Sequence, residues 1–130
     1  MKEPIWVLRD VAINVHQILL AEHGGLSGIR DENLLDSALF RHQHLLAYND
    51  PISIFDLAAS YSYGLALNHP FIDGNKRIAL TVAAIFLEIN GYYLNAKEAE
   101  TVITFERLAS GLLTETELAL WFKDSSILNA

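Results

Sequence analysis

The sequence predicts an all-α fold, a compact bundle of six helices in which a loop leads into a buried central helix. Two observations support this. Apolar residues recur at intervals of three and four along most of the 130 residues, which is the spacing of one helix face. No pair of segments shows a convincing strand pattern. Because 52% of the residues are apolar and no linker or repeat interrupts them, we expect residues 1–130 to form one domain around a buried core.

The first two helices are predicted from apolar spacing and from residues that begin or end helices. Residues 8–19 place apolar side chains at steps of three and four. Gly24-Gly25 ends this helix, because glycine readily adopts the left-handed conformation of a helix C-terminus. Asp31 is the expected N-cap of the second helix, whose apolar residues fall within 34–39.

Two further helices flank a short polar loop. After a turn at Asn49-Asp50-Pro51, a third helix runs from Ser53 until Asn68-His69-Pro70, where proline disfavours helical geometry in the residue before it. A fourth helix runs from about Lys76 to Asn90 and is closed by Gly91. Because its apolar residues cover nearly every face, we expect the fourth helix to be surrounded by others and to be the most buried of the fold.

The last third of the chain completes the predicted bundle. Tyr92-Tyr93-Leu94 is expected to form a brief extended piece. Two amphipathic segments follow at about 96–110 and 114–123, and Thr114 is the candidate cap of the second. These segments bring the number of predicted helices to six.

The composition excludes several classes of protein. Sixteen acidic residues against nine basic ones give a net charge of −7, which argues against direct nucleic-acid binding through a basic surface. The chain contains no cysteine, so it has neither disulfides nor cysteine–zinc sites. The longest apolar stretch, Ile78–Leu87, has ten residues, whereas a membrane-spanning helix needs about 20. We therefore expect a cytoplasmic protein without a membrane span.

The candidate site lies in one continuous segment, His69-Pro70-Phe71-Ile72-Asp73-Gly74-Asn75-Lys76-Arg77. A helix begins at its end, and the unpaired N–H groups and positive dipole of a helix N-terminus favour an anion. Arg77 can donate two parallel hydrogen bonds to a phosphate. Asp73 could hold Mg²⁺ together with phosphate oxygens and waters. A histidine such as His69 can accept a proton from an attacking hydroxyl.

Each of these residues also has an ordinary structural interpretation. Asp73 could be only the helix N-cap, His69 a loop residue, and Phe71-Ile72 apolar residues that fix the loop. Lys76-Arg77 fits an ordinary helix start poorly, because cations are favoured at the other end of the helix dipole. This mismatch favours a bound anion.

The nine-residue segment closely resembles the signature of the Fic/Doc (Fido) family, and its lysine resembles the death-on-curing, or Doc, branch. The resemblance extends to four other segments and covers most of residues 5–123. These are AEHGG, IRDENLLDSAL, FDLAASYSYGLALNHP and the apolar helix after the motif. It implies the helical Fido fold.

The resemblance also implies a role for each motif residue. His69 stands at the position of the catalytic base, which deprotonates a hydroxyl of a target protein, and Asp73 at the position of the metal ligand. Gly74-Asn75-Lys76 corresponds to the anion-binding turn and Arg77 to the phosphate-binding arginine. Pro70-Phe71 corresponds to the structural support of the loop. ATP and Mg²⁺ are the implied co-substrate and metal.

Two departures from the Fic pattern bear on the reaction. Most Fic members have glycine where this chain has Lys76, and a second arginine where it has Leu80. Fic enzymes with those residues transfer AMP to a protein hydroxyl. Doc-like members are thought to bind ATP in the reverse orientation and to transfer its γ-phosphate. In Doc toxins the acceptor is a translation elongation factor. The resemblance therefore implies a Doc-type kinase, with AMP transfer and a catalytically silent antitoxin-binding module as the alternatives.

The resemblance also implies a separate antitoxin protein as partner. Many Fic proteins are blocked by a helix with the pattern Ser/Thr-x-x-x-Glu, either their own or a partner's. No glutamate of this sequence has Ser or Thr four residues before it. We therefore expect the block to come from an antitoxin, and we expect the other partner to be a protein substrate in the translation machinery.

Overall fold

The computed structural model describes residues 3–48 and 51–129, and these residues form an all-α bundle of six helices with one small sheet. The predicted fold class is confirmed. The turn expected at Asn49-Asp50-Pro51 lies partly outside the described residues. The helices are α1 (Arg9–His23), α2 (Glu32–Tyr48), α3 (Ile54–Asn68), α4 (Asn75–Ile89), α5 (Glu98–Ala109) and α6 (Glu115–Ser125), and the strands are β1 (Tyr92–Leu94) and β2 (Ser126–Leu128).

Helix α3 lies at the centre of the bundle. It packs against α2, α4 and α6, and nine of its fifteen residues are buried. Helix α4, the buried helix that follows the motif, has six buried residues and exposes part of one face. The expectation that α4 is the most buried helix was wrong, because the small residues of α3 let its neighbours approach from several sides. At Gly64, for example, a Cβ would lie only 2.9 Å from the Ala38 Cα of α2.

Side chains begin the helices where the sequence predicted. The carboxylate of Asp31 accepts the Leu34 N–H at the start of α2. Ser53 and Thr114 form reciprocal capping boxes at α3 and α6, an arrangement that satisfies N–H groups the helix cannot pair itself. Gly24, with φ of 81°, ends α1. The starts of α2, α3 and α6 therefore rest on local side-chain caps, and the end of α1 rests on a glycine.

The two short strands form an antiparallel pair that the sequence did not predict as a pair. Tyr92 is opposite Leu128, and Leu94 is opposite Ser126. The brief extended piece expected at 92–94 is β1, whereas β2 has no alternating pattern of its own. The pair joins the end of α4 to the end of α6 and adds to the packing of α6 on α3.

Within the described ranges, every helix is too short or too polar to cross a membrane.

Candidate functional site

The motif segment forms the connection between α3 and α4, and the segment between α1 and α2 lies beside it. Ile29 and Phe71 form an isolated antiparallel bridge. The Ile72 N–H donates to the Gly28 carbonyl at 3.0 Å, and the Arg30 N–H donates to the Pro70 carbonyl at 2.7 Å. Two stretches of irregular backbone thus satisfy each other's polar groups and fix the conformation of the loop.

His69 is held by its backbone and leaves its side chain exposed. It ends α3 in the left-handed region, with φ of 48°, a conformation that costs a non-glycine residue about 1 kcal/mol. The Arg30 guanidinium compensates by donating to the His69 carbonyl at 2.6 Å and to the Asn68 carbonyl at 2.8 Å. The imidazole lies in the wall of a cleft, accessible to solvent.

Phe71 and Asn75 form the buried support of the loop. The Phe71 side chain is 1% exposed. The Asn75 side chain accepts the Phe71 N–H at 3.0 Å and donates to the Phe71 carbonyl at 2.9 Å. These bonds use the Asn75 amide oxygen and one of its two N–H donors, so the second side-chain N–H and the backbone N–H remain to offer an anion. Pro70 is buried as well.

The Asp73 carboxylate is exposed and is oriented by two backbone N–H groups. Oδ1 accepts the Gly74 N–H at 3.0 Å, and Oδ2 accepts the Leu26 N–H at 3.2 Å. The alternative interpretation of Asp73 as the N-cap of α4 was wrong, because Gly74 occupies that position. Each carboxylate oxygen has a second lone pair, so Asp73 can bind a cation while it keeps these bonds.

The N-terminus of α4 has the properties of an anion site. Gly74, with φ of 79°, has no side-chain oxygen, and no side-chain hydrogen bond from the described residues caps this end. Lys76 and Arg77 are exposed, and neither forms an ion pair with a carboxylate of the described residues. The first turn contains no acidic residue. Unpaired N–H groups and two cations together favour a phosphate.

These residues line a cleft of about 610 Å³ between the start of α4 and one face of α5. Six of the predicted site residues line the cleft. The other two, Pro70 and Phe71, are buried and do not line it. Its volume is in the usual range for a small-molecule site. The lining residues are His69, Ile72, Asp73, Gly74, Asn75, Lys76, Arg77, Leu80, Thr101, Val102, Phe105 and Glu106.

The donor set of the cleft fits Mg²⁺ bound with a nucleotide phosphate better than a metal held by protein alone. Among the residues that the structure describes, no group of three or more His, Cys, Asp or Glu side chains could hold a metal. Mg²⁺ commonly uses one or two carboxylates, with phosphate oxygens and waters as its other ligands. Asp73 can supply such a carboxylate beside the cationic end of α4.

Sequence reasoning did not identify several residues that build the site. Arg30 and Gly25 lie on the loop after α1; a Cβ on Gly25 would lie 3.0 Å from the Asp73 Oδ2. His16 of α1 stacks on Phe71, and α5 supplies the opposite wall of the cleft. His16 carried a detectable signal, since it is a histidine among apolar residues in a predicted helix.

Comparisons with known proteins find similarity over more than half of the chain. The sequence model of the Fic/DOC family matches residues 6–87, more than half of the chain. The chain is 35% identical over 79 residues to the "Protein kinase doc" of Escherichia phage P1, an alignment that covers 61% of this chain and 63% of that protein. It is 43% identical over 74 residues to the "Toxin Doc" of Mycolicibacterium smegmatis, covering 56% and 57% of the two chains. The matched region therefore spans less than two thirds of either relative.

Proposed function

Because the chain belongs to the Fic/DOC family, we propose that it is a Doc-type toxin that transfers the γ-phosphate of ATP to a Ser or Thr hydroxyl of a host protein. The observation that carries this proposal is the shared cleft, in which the exposed His69 imidazole and the uncapped cationic start of α4 line one volume. A base and a phosphate site are the two parts that such a transfer needs. One relative has the name "Protein kinase doc".

In this reaction His69 is the general base. Its side chain is accessible to a hydroxyl of an incoming protein, while Arg30 fixes its backbone through the His69 carbonyl. The imidazole takes the proton of the hydroxyl as the hydroxyl oxygen attacks the γ-phosphorus. The bond from that phosphorus to the β–γ bridging oxygen breaks, and ADP leaves. A base of this kind contributes about 10²–10⁴-fold to the rate.

The start of α4 binds the phosphates of ATP. Lys76 and Arg77 neutralise negative charge, and the backbone N–H groups that follow Gly74 donate to phosphate oxygens. Asp73 would hold Mg²⁺, which supplies further charge neutralisation when bound. These residues contribute to catalysis by orienting the phosphates and stabilising charge in the transition state.

Two residues favour phosphate transfer over AMP transfer. Lys76 and Leu80 line the cleft at positions where Fic enzymes that transfer AMP have glycine and a second arginine. The Lys76 side chain fills space that glycine would leave open, and Leu80 offers a phosphate no charge. AMP transfer is the second candidate. A silent antitoxin-binding module is the third, and the exposed His69, Asp73 and Arg77 argue against it.

The proposed partners are a protein of the translation machinery, such as an elongation factor, and a separate antitoxin. Such a toxin would act in the cytoplasm. The relative named "Toxin Doc" supports a toxin–antitoxin pairing. Exposed apolar side chains at the edge of the cleft, Ile72 and Val102, provide surface for either protein partner.

A labelling experiment tests the proposal. The protein is incubated with Mg²⁺, a purified translation elongation factor and ATP labelled on either the α- or the γ-phosphate. We expect transfer of the γ label only, and a decrease of about 10²–10⁴-fold in His69→Ala. His23→Ala, which removes another exposed histidine outside the cleft, is the matched control and should retain activity.

The other outcomes distinguish the alternatives. Transfer of the α label would replace the kinase by an AMP transferase. If neither label reaches the elongation factor or any protein of a cell extract, the binding-module alternative is favoured. Equal activity of His69→Ala and the wild type would remove His69 from its proposed role.

A further inference from the structure

The buried side chain of His16 contacts the site from beneath. His16 lies on α1 and is 3% exposed. Its ring stacks on Phe71, with ring centroids 3.7 Å apart and planes inclined by 13°. Its Nε2 lies 2.7 Å from the carbonyl oxygen of Asp73. This side chain therefore contacts both the support of the loop and the residue proposed to hold Mg²⁺.

The hydrogen bond to Asp73 determines the direction of the next peptide group. A carbonyl oxygen can only accept, so Nε2 carries the proton and donates. The Asp73 carbonyl is thus directed at α1. In a planar trans peptide the N–H points opposite to the C=O, and the Gly74 N–H accordingly points away from His16 and donates to the Asp73 Oδ1 at 3.0 Å.

The Asp73–Gly74 peptide has few other restraints. Phe71 is held by the Asn75 amide, and the Ile72 N–H by the Gly28 carbonyl. The Asp73 carbonyl, in contrast, has the His16 ring as its hydrogen-bond partner among the described residues. Gly74 has a positive φ of 79° and no side chain, and glycine tolerates the rotation of a preceding peptide group at little steric cost.

We propose that His16 is a positioning residue that keeps the Asp73 carbonyl turned away from the phosphate site. The inference rests on the proposed function, because it assumes that an anion binds at the start of α4. With the peptide reversed, a carbonyl oxygen would face the phosphates and the Gly74 N–H would no longer support the Asp73 carboxylate. Only the fraction of molecules with the native peptide binds well, so the apparent Kd rises as that fraction falls.

Paired substitutions separate the hydrogen bond from the packing of the ring. His16→Phe keeps a flat ring against Phe71 but has no donor. His16→Gln and His16→Met have similar length, and only the glutamine has an N–H to donate. His42→Phe is the matched control, since His42 is also a buried histidine stacked on an aromatic ring (Trp6, centroids 4.0 Å apart) and lies outside the cleft.

Calorimetric titration with MgATP measures the effect. We expect the Kd to rise roughly tenfold in His16→Phe and His16→Met, as for the loss of one buried hydrogen bond, and to recover in His16→Gln. Wild-type affinity is expected for His42→Phe. In the labelling reaction, His16→Phe and His16→Met should increase the KM for ATP by a larger factor than they decrease kcat.

The backbone amide of Gly74 gives a readout that does not depend on nucleotide. In ¹⁵N NMR spectra of the free protein, we expect its resonance to shift and its hydrogen exchange to accelerate in His16→Phe and His16→Met but not in His16→Gln. If His16→Phe and His16→Met fold and keep both the wild-type Gly74 resonance and the wild-type Kd for MgATP, the inference is overturned. An equal loss of affinity in His42→Phe would overturn it too, since general destabilisation would then explain the effect.

The two proposals fail in different ways. If the wild-type protein binds no MgATP, the proposed function fails, while the Gly74 amide still reports whether His16 holds the peptide. If the wild type binds MgATP and His16→Phe does not fold, the comparison of His16→Gln with His16→Met decides the inference alone.

Discussion

The side-chain amide of Asn75 is hydrogen-bonded to both backbone polar groups of Phe71, accepting the N–H at 3.0 Å and donating to the carbonyl at 2.9 Å. This pair of bonds closes the loop between α3 and α4 over the buried Phe71 ring. An amide is the side chain suited to this task, because it offers an acceptor and a donor on one short, planar group.

Replacing Asn75 by Ala should therefore loosen the loop. Two partly buried backbone groups lose their partners, and we expect the free energy of unfolding to decrease by about 1–3 kcal/mol. Phosphate transfer should decrease as well, because His69 and Asp73 lie on the same loop. Urea unfolding and the labelling assay measure the two effects. Asn129→Ala, an exposed amide next to β2, should change neither; a stable but inactive Asn75→Ala would instead indicate a direct contact with substrate.

Gly25→Ala should displace the Asp73 carboxylate. The added Cβ would lie 3.0 Å from the Asp73 Oδ2 and 2.9 Å from the Leu20 Cδ2, at a residue with φ of 125°. We expect the Mg²⁺ concentration needed for half-maximal transfer to increase several-fold, since Asp73 must move to make room.

The control for this prediction is Gly24→Ala. Gly24 also has a positive φ, of 81°, but its Cβ would meet nothing within 4 Å, so only backbone strain of about 1–3 kcal/mol is introduced, for a conformation that is essentially restricted to glycine. A Mg²⁺ titration compares the two variants. If the Mg²⁺ concentration for half-maximal transfer increases equally in both variants, strain in the loop and not contact with Asp73 is responsible.

Arg41→Ala should destabilise the bundle more than Arg9→Ala. The half-buried Arg41 donates to both carboxylate oxygens of Glu115, at 3.1 and 2.8 Å, and lies over the ring of Tyr63. It thereby joins α2, α3 and α6, and a bidentate pair of this kind is worth about 1–3 kcal/mol. Arg9 pairs with the exposed Glu32 and Asp36, and exposed pairs contribute about 0–1 kcal/mol. Chemical unfolding measures the free energy of unfolding of both variants. A larger decrease in Arg9→Ala than in Arg41→Ala would contradict the prediction.

His42 should make the stability of the fold depend on pH. Burial lowers the pKa of His42, although the nearby Leu39 backbone and the charge of Glu3 act in the opposite direction. Above the unfolded pKa of about 6.5 the side chain is neutral in both states. As pH falls below that value the unfolded chain gains a proton before the folded one does, so the free energy of unfolding decreases until pH reaches the lower, folded pKa.

Urea unfolding at pH 7.5 and 5.5 tests this sign. The wild type should lose more stability between these pH values than His42→Phe does, and the difference between the two losses is the contribution of His42. An equal loss in both proteins would assign the pH dependence to other groups.

The sequence predicted those parts of the site that are contiguous along the chain. Residues 69–77 stand together at a helix start, and local chemistry alone suggested an anion there. His16, by contrast, reaches Asp73 across 57 positions, and Arg30 reaches His69 across 39. Such contacts depend on how the helices pack, which no local pattern specifies.

The same distinction applies to the fold. Capping residues such as Asp31 and Thr114 act within one helical turn, so they were predicted correctly. Strand β2 is extended because β1 provides hydrogen-bonding partners, and its own three residues carry no signal. The relative burial of α3 and α4 was misjudged for a related reason, because small residues such as Gly64 reveal their role only once a neighbouring helix approaches.

The pairing of β1 with β2 has a consequence for the order in which a nascent chain completes the fold. The ribosome synthesises β1 just after α4, but its partner, residues 126–128, emerges only after α5 and α6 have been made. Until then α5, which forms the wall opposite Lys76 and Arg77, is held by its own packing on α3 and α4. Domains fold as units during synthesis, and here the strand pair of the unit becomes complete only when nearly all of the described chain has left the ribosome. A polypeptide interrupted before β2 would therefore carry the whole motif and α5 but lack the strand pair that joins the end of α4 to the end of α6.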